Sequence, residues 1–220
     1  VVNAMRFKGK LYGVPFGLNV MFFFYRKDLF AEKGLNPPKT MDEYLQLATA
    51  FHTPRRSGAQ LTLKPVEAAI NELTWHFNSE GPGWLDETTF APTFNQAHGV
   101  RAIERMKALA KVSAPGYLTN DNNETTVNFQ QDLAVMGLQW ASRAASMDNP
   151  RQSKVAGKIE FASPPGGGSR AIVIGYCMTK ASAVDRDLRF RVLMEAAKQE
   201  SMRGGADFSI PARLSVLSDP

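Results

Sequence analysis

The sequence has a single cysteine, Cys177, in 220 residues. That excludes an intrachain disulfide and a thiolate zinc site. It has no apolar run near the roughly 20 residues that cross a bilayer; the longest, Val20 to Tyr25, is the length of a strand. It has little charge of one sign to spare, since 26 Lys and Arg against 21 Asp and Glu leave a net charge of +5. The basic residues are scattered rather than gathered in a stripe, so nucleic-acid binding is not indicated. The three histidines, His52, His76 and His98, are never four residues apart, and no H-E-x-x-H exists. No repeat or low-complexity tract is present. Val1 opens without a start Met, a basic region or an apolar region, so no signal peptide is visible. With 44% hydrophobic and 21% charged residues, a disordered tail, a collagen-like fibre and a coiled coil are excluded.

What is there alternates between two periods. Val20 to Tyr25 is continuous and apolar, the pattern of a strand buried on both faces. Asp28 to Lys33 is a short helix that Gly34 stops. Thr40 and Glu43 form a capping box, and Met41, Tyr44, Leu45, Ala48 and Phe51 follow a helical period up to His52. Pro65 suits a helix start, with Val66, Ala69, Ile70, Leu73 and Phe77 as the expected apolar stripe. Asn95 is a candidate cap for a helix that turns Val100, Ile103, Met106 and Ala110 inward. A short helix around Val127 to Gln130 leads into a buried strand at Leu133 to Leu138, and Trp140 to Met147 reads as the helix after it. Lys158 to Ala162 and Ala171 to Met178 are further strands, and Asp185 to Met202 is an amphipathic helix. Between them, Pro164 to Ser169 with its glycine triplet reads as the most flexible stretch and the best hinge candidate. Strands alternating with helices indicate an α/β fold.

Catalytic motifs are missing. The glycine triplet lacks the Lys-Ser/Thr of a phosphate loop and does not open a helix. No serine stands in a G-x-S-x-G elbow. The carboxylate pairs Asp42 with Glu43 and Asp185 with Asp187 sit at helix starts, where the dipole favours them. Cys177 reads as a small core residue on a buried strand. No metal and no cofactor is implied. Aromatic residues do fall at loops and strand ends: Phe16 after Val14-Pro15, Trp84 in a Gly-Pro-Gly-Trp loop, and Trp140 after a buried strand. With amides such as Asn19 and Gln139 beside them, they suit a sugar, whose C–H face stacks on a ring while its hydroxyls need polar partners. By itself Trp140 reads first as a core tryptophan and only second as a sugar contact.

A family resemblance rests on several segments in order. Gly9 to Pro15, Phe23 to Phe30 and Gly34 to Tyr44 together resemble the extracellular solute-binding proteins of ABC importers, the family that includes maltose-binding protein. Ala134 to Ala141 resembles that family's strand-to-helix corner, Lys154 to Pro164 its return segment, and Ile210 to Leu217 a later one. The resemblance implies an α/β, two-lobed periplasmic-binding-protein fold. Residues 1–18 would be the tail of the first lobe and a hinge strand, 19–165 a nearly complete second lobe, and 166–220 the return hinge and part of the first lobe. The chain is then expected to be the central piece of a larger protein, with opening strands before Val1 and helices after Pro220. Its close at Ser218-Asp219-Pro220 reads as mid-turn.

The function this implies is capture of a sugar or polyol between two lobes by hinge closure, then delivery to membrane permease subunits. A monomer in the periplasm or at the cell surface, reaching the membrane through its transporter, is expected. Trp140 matches the family's stacking tryptophan. Asn19 falls where maltose-binding protein places a carboxylate that touches sugar, so a different hydroxyl pattern is implied. Arg143, a turn beyond Trp140, can reach hydroxyls or a carboxylate. Tyr176, Phe16, Glu72 and Trp84 complete the candidate set. A carbohydrate-active enzyme with two carboxyls across a pocket, or the binding component of a sensor, are the alternatives.

Overall fold

The apolar run at Val20 to Tyr25 falls in the second half of a longer strand in the computed structural model, which describes residues 1–207 and 209–218. Asp219 and Pro220, the end of the expected turn, lie outside the described residues. In chain order the strands are β1 (Arg6–Phe7), β2 (Lys10–Leu11), β3 (Val14–Arg26), β4 (Ser57–Gln60), β5 (Ala134–Trp140), β6 (Ile159–Ala162), β7 (Ala171–Tyr176) and β8 (Ile210–Pro211). The helices are α1 (Lys27–Glu32), α2 (Met41–Phe51), α3 (Glu67–Glu80), α4 (Ala97–Ala110), α5 (Asn122–Gln130), α6 (Ala144–Met147), α7 (Arg186–Ala196), α8 (Gln199–Gly204) and α9 (Leu214–Leu217). The chain divides into two compact units, Met21–Arg170 and Val1–Val20 with Ala171–Pro220.

In the larger unit the strands run in the order β4-β5-β3-β6. β4 and β5 are parallel, and β5 and β6 pair with β3 antiparallel. Every residue of β5 is buried, as an apolar run covered on both faces should be. The aromatic core is Phe23, Tyr44 and Trp75, with ring centroids 5.1 to 6.1 Å apart. α2 carries its capping box at Thr40 and Glu43 and lies so close to β4 that a Cβ at Gly58 would collide with the Ala48 carbonyl. Arg26 at the end of β3 is buried and bonds to Asp28 and Asp132, and Asp132 also holds Arg56.

In the smaller unit β3 continues as Val14–Val20, paired with β7 and touched by β8. Its described core is Ala197, Met202 and Val216, packed with Val14, Phe16 and Ala212. β1 and β2 form a hairpin closed by Lys8 and Gly9, both at positive φ, the geometry of a two-residue hairpin turn.

The sequence-based reading needs correction at several places. α3 fully buries its expected apolar stripe only at Phe77: Val66 and Ile70 are exposed, and the rest of the buried face is Ala68, Asn71, Glu72, Trp75 and His76. Trp75 decides the rotation, because its ring joins Phe23 and Tyr44 and its Nε1 donates to the Pro165 carbonyl at 2.9 Å. α4 buries Met106 as expected but leaves Val100 and Ile103 exposed and turns His98 and Gly99 inward, with no side-chain cap at its start. α5 starts earlier than expected, at a capping box made by Asp121 and Glu124. Trp140 ends β5 rather than opening a helix, and one 3-10 turn, Ala141–Arg143, precedes α6. Residues 185–202 break into α7 and α8 at Ala197-Lys198, with Leu188 and Val192 exposed. Cys177 lies past the end of β7 and is exposed, not a core residue.

The glycine triplet is the largest correction to local character. Gly166, Gly167 and Gly168 all have φ near +70°, which explains glycine there without mobility. The segment is fastened to its neighbours. Gly166 N donates to Lys39 O, Asn78 Nδ2 to Gly168 O, and Ser169 Oγ to Met21 O, each within 3.0 Å.

Candidate functional site

Ligands of open α/β sheets gather at the carboxyl ends of parallel strands. In the larger unit that edge is where β4 ends at Gln60 and β5 ends at Trp140. The chain places buried polar groups there: Gln60, Thr62, Thr125, Thr126 and Gln139. They satisfy one another. Asn128 Nδ2 donates to Gln60 Oε1 at 2.8 Å, the Thr62 and Thr125 hydroxyls are 2.9 Å apart, and Gln139 Nε2 donates to Asn122 O at 2.9 Å. Gln139 Oε1 accepts from Trp140 N, which fixes the backbone where the strand turns into the 3-10 turn. Asp121 caps α5 at the same edge. Its interaction with Glu124, whose Oε2 accepts from Asp121 N, and the bonds donated by Asn123 N and Lys64 Nζ bring its carboxyl down to about 2.

α3 contributes a less settled group. Glu72 and His76 are both buried, with Glu72 Oε1 3.5 Å from His76 Nε2. Burial pushes the Glu72 carboxyl up, against the opposing pull of His76 and the Thr62 N–H. Burial also pushes the Tyr44 hydroxyl well up, and Glu72 adds to it. Tyr44 Oη, Asn71 Nδ2, Glu72 Oε1 and both His76 ring nitrogens have no hydrogen-bond partner among the described residues. This is the densest group of unmet buried polar atoms described in the chain.

Next to α3, Arg170 Nη1 donates to Asn71 Oδ1 at 2.6 Å and to Glu67 Oε1 at 3.2 Å. Arg170 O accepts from Met21 N, and Met21 pairs with Trp140 on its other side. Arg170 was not a candidate from the sequence. The signal was its place between the glycine triplet and an apolar strand.

The expected residues divide between the units. Trp140 is 5% exposed at the end of β5. Arg143, three residues on, is half-buried, and its side chain makes no hydrogen bond or ion pair among the described residues. Glu72 lies inside, on His76. Trp84 packs on Phe77 and Phe94, and its Nε1 donates to Thr74 Oγ1 at 2.8 Å. In the smaller unit Phe16 and Tyr176 meet with ring centroids 5.1 Å apart, and Asn19 sits in β3 opposite Ile172. Phe16 also packs on the small core, while Tyr176 and Cys177 line an apolar cavity of about 520 Å³ with Met178, Leu188 and Val192. A cavity of about 570 Å³ in the larger unit lies at the opposite end of β4, beside His52, Arg55 and Arg56.

Among the described residues no group of three or more His, Cys, Asp or Glu side chains could hold a metal, and no helix is long and apolar enough to cross a membrane.

Comparison with known proteins adds what geometry alone does not. Residues 1–220 match the family described as bacterial extracellular solute-binding protein. A probable amino-acid ABC transporter periplasmic-binding protein of Sinorhizobium fredii is 26% identical, over 98% of this chain and 50% of its own length. The mannitol-binding protein of Pseudomonas aeruginosa is 26% identical, over 75% of this chain and 39% of its own. The chain thus spans half or less of these two relatives. Among solved structures, an ABC transporter solute-binding protein from Agrobacterium radiobacter K84, in complex with ribitol, has a TM-score of 0.88 at 22% identity, over 100% of this chain and 59% of its own. That likeness establishes the fold.

Proposed function

The chain belongs to the bacterial extracellular solute-binding proteins, and from that premise we propose that the whole protein captures a sugar or polyol outside the cytoplasm and hands it to the permease subunits of an ABC importer. The observation that carries the proposal is the match of the family along residues 1–220, together with the fold shared with a ribitol-bound member. The mannitol-binding relative points to the same ligand class. Residues 19–165 serve as the second lobe in this reading, with 1–18 and 166–220 as parts of the first. Trp140 supplies an aromatic face and Arg143 a hydrogen-bonding cation at the edge of the larger unit. Asn19, the first residue of the second lobe in this reading, and Tyr176, in the first, complete the set. The task is binding, so no nucleophile, metal or cofactor is required, and the protein works as a monomer in the periplasm or at the cell surface.

A thermal-shift screen of the whole protein tests this. Ribitol, mannitol and maltose at millimolar concentration are expected to raise the melting temperature, because a ligand that binds only the folded state stabilises it. The amino-acid-transporter relative motivates a second arm of free amino acids. A shift there with none among sugars and polyols replaces the sugar reading with an amino-acid one.

A further inference from the structure

Resting on the reading above, we propose that the ligand carries a carboxylate on its hydroxylated carbon chain, and that Arg170 is the residue that recognises it. Register places Arg170 at the site. Trp140 pairs with Met21 on β5, and Met21 N bonds to Arg170 O on the other side of β3, one step beyond the Val20 to Ala171 pair. Residues directly opposite across a sheet project from the same face. Trp140, Met21 and Arg170 therefore form a row on one face, with the outer two roughly 10 Å apart at Cα, two strand spacings. That distance suits a short polyhydroxylated chain with an aromatic contact at one end and a cation at the other.

The guanidinium is set up for an oxyanion. Its Nη1 is taken by Asn71 Oδ1 at 2.6 Å and Glu67 Oε1 at 3.2 Å. Asn71 is fully buried, so it fixes the plane of the fork. The Nε and Nη2 hydrogens make no bond among the described residues, and the Arg170 side chain is 37% exposed. A free Nε–Nη2 edge is the edge that takes a carboxylate in two parallel bonds. Glu67 competes weakly, since its side chain is 60% exposed and meets only Nη1. Arg143, three residues after Trp140 and without a counter-ion among the described residues, adds positive potential to the same edge.

The test compares two ligands that differ only at one carbon. D-gluconate and D-glucitol are titrated into the whole protein by calorimetry, with D-glucitol 6-phosphate as a third arm. Gluconate is expected to bind at least about tenfold tighter than glucitol, in line with a charge-assisted bidentate pair, and tighter than the phosphate. In Arg170→Gln the ratio of the gluconate and glucitol affinities should collapse towards one. In Arg170→Lys it should recover in part, because an ammonium gives charge without the fork. Equal or tighter binding of glucitol, tighter binding of the phosphate, or an unchanged ratio in Arg170→Gln overturns the inference and leaves the proposed function standing. If no sugar, polyol or sugar acid binds, both fall. Melting temperatures of both variants within a few degrees of the parent confirm that the ratio reports recognition rather than folding.

Discussion

The two units of this chain solve the burial problem to different degrees. The larger unit holds every one of the largest fully buried side chains, Trp75, Tyr44, Phe23, Phe24, Phe30 and Phe129 among them. The smaller unit buries Leu193, Ala197, Met202 and Val216, yet exposes Phe7, Tyr12, Val184, Leu188, Phe190, Val192 and Leu214. Apolar burial contributes about 25 cal/mol per Å², so these faces predict a large difference in local stability. In the 220-residue chain on its own, the larger unit should behave as the cooperative body, and the smaller unit should open first.

The heaviest blow to the comparison is Trp75→Ala. It removes the ring that Phe23 and Tyr44 pack on and the donor to Pro165 O. A loss of about 3–5 kcal/mol is expected in the urea unfolding of the larger unit. A loss under about 1 kcal/mol would mean that Trp75 is not its keystone.

Next in size is Glu72→Gln, expected to stabilise the larger unit at high pH by about 1–3 kcal/mol, the scale of a poorly satisfied buried polar group. Burial raises the folded-state pKa of Glu72, so the unfolded state gives up its proton first. The wild-type contribution is therefore fully present below the unfolded pKa, about 4.3, and is lost as pH rises through the folded value. Melting curves from pH 4 to 8 should show the variant gaining on the wild type as pH rises. Parallel curves would mean that Glu72 is not titrating in the fold.

Thr40→Ala comes third. It removes the hydroxyl that accepts from Glu43 N in the α2 capping box, and about 1 kcal/mol should be lost. Far-UV circular dichroism during urea titration reads it. No change would leave α2 held by its packing on β4 alone.

How much of this was legible in the sequence follows from what encodes each feature. β5 was readable because a run buried on both faces is apolar at every position, and the α2 cap because a capping box is a local bond pattern. The buried face of α3 was not, because a tertiary contact of Trp75 overrides the apolar period and turns Asn71, Glu72 and His76 inward. Gly166 to Gly168 show why composition misleads: glycine marks positive φ as readily as mobility, and only the bonds to Lys39, Asn78 and Met21 tell which. The placement of Arg170 in one row with Met21 and Trp140 depends on strand register across residues far apart in sequence, which no local pattern carries.

The smallest expected effect draws the finest line, and it lies within α7. Val192 and Leu193 are apolar neighbours in sequence on the same helix. The fold separates them: Val192 is 61% exposed and Leu193 is 9% exposed. Removing an exposed side chain forfeits little burial, so Val192→Ala should change the stability of the smaller unit by less than about 0.5 kcal/mol. Leu193→Ala should cost about 2 kcal/mol, at the low end for a buried leucine because its core is thin. Hydrogen exchange at the amides of α8 and β7, measured in both variants of the 220-residue chain, resolves the smaller unit from the larger. Equal costs would mean that α7 is rotated from the face described, and that the contrast between the units is less steep than burial makes it.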